Sequence, residues 1–182
     1  MSQTNTIKVT TGKELYNYQK IAIEEIFNGK FGIAKNILIE EFLEGEEMSY
    51  FIISDGKTIK NFDTAQDHKR VLEGDKGKNT GGMGAYSPSR LINNQLEEKI
   101  LKKIIQPTLL GLSKLGTNYK GFLYAGLMIV KDEPYLIEYN VRMGDPECQT
   151  ILPKLQTNLT DILLACCNET LDKIVINWSD KK

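Results

Sequence analysis

The stretch Tyr135-Leu-Ile-Glu-Tyr-Asn-Val-Arg-Met-Gly-Asp-Pro-Glu147 constrains this chain more than any other. Its apolar start predicts a short strand, and its end delivers a carboxylate, an amide, a guanidinium and further carboxylates. Glu138, Asn140 and Arg142 alternate along the chain, so an extended backbone turns all three to one face. Glu138 and Asn140 supply hard oxygen ligands of the kind Mg²⁺ takes, and Mg²⁺ completes its shell with water and phosphate oxygens. Arg142 would stand beside them as a fork for phosphate or carboxylate. The pattern points to the metal–nucleotide edge of a phosphoryl-transfer site.

With 182 residues, 41% hydrophobic and 26% charged, the chain can build one domain or two small lobes around a full core. A net charge of -1 offers no basis for a nucleic-acid or anionic-membrane partner. Cys148, Cys166 and Cys167 form no disulfide pattern, so reduced thiols in the cytoplasm are expected. The N-terminus has no apolar signal segment, and no run is long enough to span a bilayer. A single histidine, His68, argues against multi-histidine metal centres, and no Ser or Cys sits in a nucleophile elbow. That leaves catalysis by positioning and electrostatics.

Apolar spacing predicts a helix over Lys13–Phe27 closed at Asn28-Gly29, and strands over Asn36–Leu43, Met48–Ser54 and Lys57–Asp63. Asp55-Gly56 marks a hairpin between the last two. Asn94–Gly116 carries a long apolar stripe, with a kink or break expected at Pro107. Tyr119–Val130 and Pro134–Glu138 read as a hairpin turning at Asp132-Glu133, and Gly126 inside a strand signals close approach by another group. Gln149–Leu155 and Asn158–Cys167 read as helical or turn-like, with a cap at Thr157-Asn158. Cys166 and Cys167 are expected to be buried helix cysteines, and Ile174–Trp178 a final strand.

Three further segments carry polar groups. Glu40-Glu41-Phe42-Leu43 is either a strand end exposing its acids or an adenine hinge, with Glu47 suited to the vicinal hydroxyls of a ribose. Gln66-Asp-His-Lys-Arg70 is either a solvated turn or a cationic edge that neutralises phosphate. Gly74–Pro88 holds five glycines, which predicts no regular structure and lets the backbone approach a ligand as an anion nest.

Taken together, Ile39–Glu47, Gln66–Arg70, Asn79–Pro88, Gly121–Met128 and Ile137–Glu147 resemble the phosphoribosylamine–glycine ligases, or glycinamide ribonucleotide synthetases, of the ATP-grasp superfamily. The resemblance runs from about Ile7 to about Cys167, in order and at the right spacing. It implies an α+β fold of partial ATP-grasp type, an antiparallel sheet flanked by helices. Residues 1–43 would complete the first lobe and hinge, 44–170 the second lobe, and 171–182 the start of a C-terminal region.

It also implies ATP as co-substrate with Mg²⁺ or Mn²⁺, and the joining of glycine to 5-phosphoribosylamine through glycyl phosphate in purine synthesis. On the family pattern Glu138 and Asn140 would hold the metal, and Glu40, Glu41, Phe42, Leu43 and Glu47 the adenosine. Arg142 would face the phosphates. Asp145 and Pro146 would face the amine or carboxylate side of the substrates. Asp67, Lys69 and Arg70, with Asn79, Thr80, Gly81, Gly82, Met83 and Gly84, would line the pocket for glycine and phosphoribosylamine. Phosphoryl transfer of this kind needs placement and charge neutralisation more than a nucleophile.

Two small departures are Tyr139 and Met143, where phenylalanine is expected. The large one is that the family's N-terminal domain, its first glycine-rich phosphate turn and its C-terminal domain have no counterpart in these residues. A second chain supplying the missing lobes is therefore an expected partner, and an exposed apolar edge an expected feature. The alternatives are a non-catalytic remnant that binds nucleotide, or an ATP-grasp ligase with another substrate.

Overall fold

The computed structural model describes residues 17–30, 32–33, 36, 41, 43–74 and 76–179. Contacts divide the chain after Glu44 into two compact units. In the first, helix α1 (Asn17–Phe27) ends where Asn28 N–H donates to the Glu24 carbonyl and Gly29 takes φ 82°. The expected helix start at Lys13 and most of the expected strand over Asn36–Leu43 lie outside the described residues.

The second unit is built on a five-stranded antiparallel sheet in the order β5-β2-β1-β6-β7. Its strands are β1 (Glu46–Asp55), β2 (Ile59–Asp67), β5 (Ala85–Tyr86), β6 (Lys120–Val130) and β7 (Glu133–Asn140). Both hairpin turns follow from their residues. Asp55 closes the β1–β2 turn by accepting the Lys57 and Thr58 N–H groups at 2.9 and 2.7 Å, and Gly56 takes φ 92°. Lys131 and Asp132 both adopt positive φ between β6 and β7, the left-handed pair that a two-residue turn demands.

The sheet is covered on both faces, which explains why β1 is buried from Met48 to Asp55. Met48, Tyr50 and Ile52 of β1 join Leu123, Ala125, Leu127 and Ile129 of β6 on one face. They pack against Leu96, Ile100, Ile104 and Ile105. On the other face Phe51, Ile53, Phe62, Ala65 and Tyr124 pack against Ile151, Ile162, Ala165, Cys166 and Leu171.

The helical layer on the first face runs from α2 (Asn94–Ile100) through a π-turn (Leu101–Ile105) into α3 (Gln106–Lys114). The break expected at Pro107 is therefore a widened turn just before it. Gln106 N–H donates to the Leu101 carbonyl five residues back, which accommodates a proline that has no N–H and crowds the preceding turn. The layer on the second face is α4 (Glu147–Ile151), a 3₁₀ turn (Leu152–Lys154) and α5 (Leu159–Cys167). Asn158 caps α5 through its side chain, whereas Thr157 donates to the Val175 carbonyl.

Three expectations are corrected. Five glycines do not exclude regular structure: β3 (Arg70–Leu72) and β4 (Lys76–Asn79) form a small antiparallel pair, and β5 follows. Gly77, at φ 87°, lies within β4, so glycine permits the pairing there. Cys166 is buried and donates to the Ser54 carbonyl, but Cys167 on the same helix is exposed. Ile174–Trp178 is not a strand; a bridge from Trp178 to Leu155 is its sheet-like contact. The apolar edge is present: β7 ends the sheet with Tyr135, Leu136 and Ile137 exposed.

Candidate active site

Antiparallel register sets the polar groups of the second face into rows. Ala65 pairs with Ser49, Ser49 with Gly126, and Gly126 with Glu138, so four strands contribute to one row. Glu47 and Asp67 lie one step further along β1 and β2, on the same face by the two-residue period. Glu138 lies three strand spacings across and one two-residue step along from Asp67, roughly 16 Å away.

At the β7 end of the row, a Cβ on Gly126 would lie 3.3 Å from Glu138 Cγ. The close approach expected at Gly126 is thus that of the Glu138 side chain. Asn140 Nδ2 donates to Glu138 Oε1 at 3.2 Å, so the expected metal pair is side by side. Arg142 is not on this row. The strand stops at Asn140, and Arg142 lies in the bend beyond it with Nη1 bonded to the Met143 carbonyl.

One carboxylate and one amide oxygen fit a Mg²⁺ that keeps water and phosphate in its shell. Among the described residues, no group of three or more His, Cys, Asp or Glu could hold a metal by itself. The donor set therefore suits a metal that arrives with nucleotide.

At the β2 end, the chain folds back so that the 80–84 loop is laced to residues 67–69. Thr80 N–H and Oγ1 both donate to the Lys69 carbonyl, Met83 N–H to the His68 carbonyl, and His68 N–H to the Gly84 carbonyl. Gly82 packs directly on Asp67. At φ 123°, a Cβ there would sit 3.0 Å from Asp67 Oδ1 and 3.2 Å from Pro146 Cδ. Three segments thus meet at Gly82: the end of β2, the glycine loop and the Asp145-Pro146 turn.

Asp67 Oδ1 is buried with no hydrogen-bond partner among the described residues. Burial, then the Glu147 carboxylate, push the Asp67 carboxyl up to about 6 against the pull of Lys69. Lys69 Nζ pairs with Glu47 Oε2 at 2.9 Å. Burial alone would lower the Lys69 ammonium, but the carboxylates of Glu47, Asp67 and Glu147 outweigh it and raise the group. Glu47, expected to meet a ribose, is therefore also bound to the lysine expected to meet substrate.

The other expected residues are more dispersed. Arg70 turns away to the Gly77 carbonyl at 2.8 Å and pairs across β3–β4 with Asn79. Gly81 and Met83 are exposed on the loop. Asp145 is exposed and accepts from Gln149 Nε2 at 2.8 Å. Glu40 and Phe42 lie outside the described residues, while Glu41 and Leu43 belong to the first unit.

Sequence reasoning missed a buried polar triangle beneath this surface. Glu147 Oε1 lies 2.9 Å from Ser49 Oγ and 2.9 Å from Tyr124 OH, which are themselves 2.9 Å apart. Burial and the nearby Glu147 charge raise the Tyr124 hydroxyl well above its ordinary value. Gly144 is required here, because a Cβ would run into the Glu147 carboxylate. The available signal was Tyr124, two residues from Gly126 and so on the same face as Glu138.

A family model described as phosphoribosylglycinamide synthetase, ATP-grasp (A) domain, matches residues 6–148. The chain is 51% identical over 160 residues to a phosphoribosylamine–glycine ligase of Agrobacterium fabrum, covering 87% of this chain and 38% of that protein. It is 46% identical over 174 residues to one of Vigna unguiculata, covering 94% of this chain and 56% of that protein. The crystal structure of a phosphoribosylamine–glycine ligase from Thermotoga maritima superposes with a TM-score of 0.73 at 35% identity. That match covers 83% of this chain and 39% of the other. The chain thus spans well under two thirds of the length of these relatives.

Proposed function

Because the chain belongs to the phosphoribosylglycinamide synthetase ATP-grasp family, we propose that it carries the metal strand and amine-substrate pocket of an ATP-dependent ligase. The reaction joins glycine to 5-phosphoribosylamine, a step of purine synthesis. The glycine carboxylate takes the terminal phosphoryl group of ATP and ADP leaves. The phosphoribosylamine nitrogen then attacks the glycyl carbonyl, phosphate leaves, and the nitrogen gives up a proton. The supporting observation is the meeting at Gly82 of Asp67, from the end of β2, and Pro146, from the turn before α4, with Asp67 on the same sheet face as Glu138 and Asn140.

On this reading Glu138 and Asn140 hold Mg²⁺, with Mn²⁺ able to substitute, and Mg²⁺ neutralises charge on the transferring phosphoryl group. Glu47 takes the ribose of the adenosine, and Arg142 swings to the phosphates. Asp67 holds a substrate amine. Lys69 and the 79–84 loop border it, as do Asp145 and Pro146. Arg70 reaches the pocket once released from Gly77. Residues 1–43, 44–170 and 171–182 are then parts of the first lobe, the second lobe and a C-terminal region.

The partners are small molecules and a complementing lobe, not nucleic acid or membrane, and the setting is the cytoplasm. No described helix is long and apolar enough to cross a membrane.

Turnover of ATP, glycine and phosphoribosylamine tests the proposal, measured with this chain alone and with an added N-terminal fragment of a relative. Product in either case supports it. Nucleotide binding without product in both marks a nucleotide-binding remnant instead. Glu138→Ala is expected to lower Mg-ATP affinity at least tenfold by calorimetry, and unchanged affinity removes the metal assignment.

A further inference from the structure

The triangle beneath the site has a feature that packing alone does not require. Glu147 is 3% exposed, yet its direct partners are two neutral hydroxyls. The cation of this cluster, Lys69, is paired with Glu47. Among the described residues, three carboxylates, Glu47, Asp67 and Glu147, therefore share one lysine, and Asp67 keeps a buried oxygen with no partner. A buried acceptor left unpaired is destabilising, and a second negative charge behind it adds to the penalty. A ligand that brings both a positive charge and N–H donors relieves both at once.

We propose that Glu147 is a positioning residue of the amine pocket. Held by Ser49 and Tyr124, its carboxylate seats the Gly144–Pro146 turn against Asp67 and supplies the charge that favours a primary ammonium over a neutral isostere. This deepens the ligase reading and rests on it for the identity of the amine. The geometry is specific. Glu147 reaches β1 through Ser49 and β6 through Tyr124, and it fills the space that a side chain at position 144 would need. Pro146, the residue before it, packs on Gly82, as does Asp67. The charged and titratable groups that face Asp67 are Glu147 from α4, Glu47 from β1, and Lys69 and His68 from the loop that follows it.

Glu147→Gln tests this, because the amide keeps both the size and the acceptor for Ser49 and Tyr124 while removing the charge. The Asp67 carboxyl is titrated directly by carbon-13 NMR of aspartate-labelled protein. In the glutamine variant its midpoint is expected to fall from about 6 by roughly half a unit or more, with the thermal midpoint little changed. Tyr124→Phe removes one tether and leaves the charge, so it is expected to move the Asp67 midpoint much less. An unmoved midpoint in Glu147→Gln, or an equal shift in Tyr124→Phe, overturns the proposal. So does a glutamine variant that fails to fold, since position 147 would then be supplying structure rather than charge.

Glycine and glycolate affinities in the same samples read selectivity. Glycine binding is expected to weaken about three- to tenfold in Glu147→Gln while glycolate and Mg-ATP binding hold. Glycine affinity that holds, or glycolate and Mg-ATP affinities that fall with it, overturns the selectivity claim. A wild-type chain that binds no glycine overturns the amine-pocket reading, whereas the Asp67 titration still decides whether Glu147 acts on Asp67.

Discussion

Asp67 sits where a folded chain would not ordinarily leave a carboxylate, packed on Gly82 with one oxygen unpaired among the described residues. Its folded-state carboxyl is raised to about 6, above the value near 4 of an unfolded aspartate. The folded state therefore holds this proton more tightly than the unfolded chain. The contribution of Asp67 to stability falls as pH rises from about 4 to about 6, and the deficit is complete above that. Asp67→Asn is expected to remove this slope and raise the thermal midpoint above pH 6 by roughly a degree or two, the group being partly solvated. It should leave the midpoint at pH 4 unchanged and abolish glycine binding. Thermal scans across the pH range with calorimetry check all three.

The sequence made Asp67 a candidate because it lies in a charge-dense run just after a strand, beside two cations, and matches the family pattern. It could not reveal the missing hydrogen bond, because the residue packed on Asp67 is Gly82, in a loop further along the chain. Arg142 shows the opposite error. Its two-residue spacing from Asn140 mattered only if the strand continued, and the bend at Val141–Arg142 ended it.

Among the elements, the helical layer over the first face shows how one proline propagates. The Ile104 carbonyl, in the π-turn before Pro107, accepts from side chains. Thr108 Oγ1 donates to it at 2.8 Å, and Tyr139 OH reaches both Thr108 Oγ1 at 2.7 Å and the same carbonyl at 3.3 Å. Tyr139, on the strand that carries Glu138 and Asn140, is thereby tied to α3. A phenylalanine at this position would not make the contact. Thr108→Val and Tyr139→Phe are each expected to destabilise by about 1 kcal/mol in denaturant unfolding. The double variant should lose little more than either single one, because both act through one contact.

The kink was legible because proline chemistry is local. Its form, and the partner for the Tyr139 hydroxyl, were not, since they depend on a carbonyl more than thirty residues away. The β6–β7 hairpin was legible because its turn is also local, although the turn was read one residue late, at Asp132-Glu133 rather than Lys131-Asp132, and β7 as ending at Glu138 rather than Asn140. The β3–β4 pair was hidden by its glycines, whose permissiveness reads as irregularity until the partner strand is known.

For the whole second unit, the sheet between two helical layers needs ties that cross between layers, and one of them is ionic. Lys154 Nζ, after α4, bonds Asp63 Oδ2 of β2 at 2.6 Å and Ser87 Oγ at 3.1 Å, with both charged side chains 13% exposed. Asp63 also takes φ 82° within the bulge of β2 against β1, so this pair fixes an irregular point of the sheet. Lys154→Met is expected to destabilise by about 2–4 kcal/mol, because it strands an enclosed carboxylate. Asp63→Asn on that background should recover part of the loss. Chemical denaturation of the two variants decides it. Burial on both faces also explains why β1 reads as a nearly unbroken apolar run, which hides from sequence which of its residues face the site.

The central pairing of the sheet, β1 with β6, joins two local hairpins across a long stretch of chain, and Ser49 and Tyr124 meet there from 75 residues apart. Closing so large a loop is the slow, entropically expensive event in assembling such a topology. Asp67 belongs to the first hairpin, and Glu138 and Asn140 to the second. On the proposed reading, the metal pair and the amine pocket come onto one sheet face only when that seam closes, and stabilisation by ligand is expected only from that point.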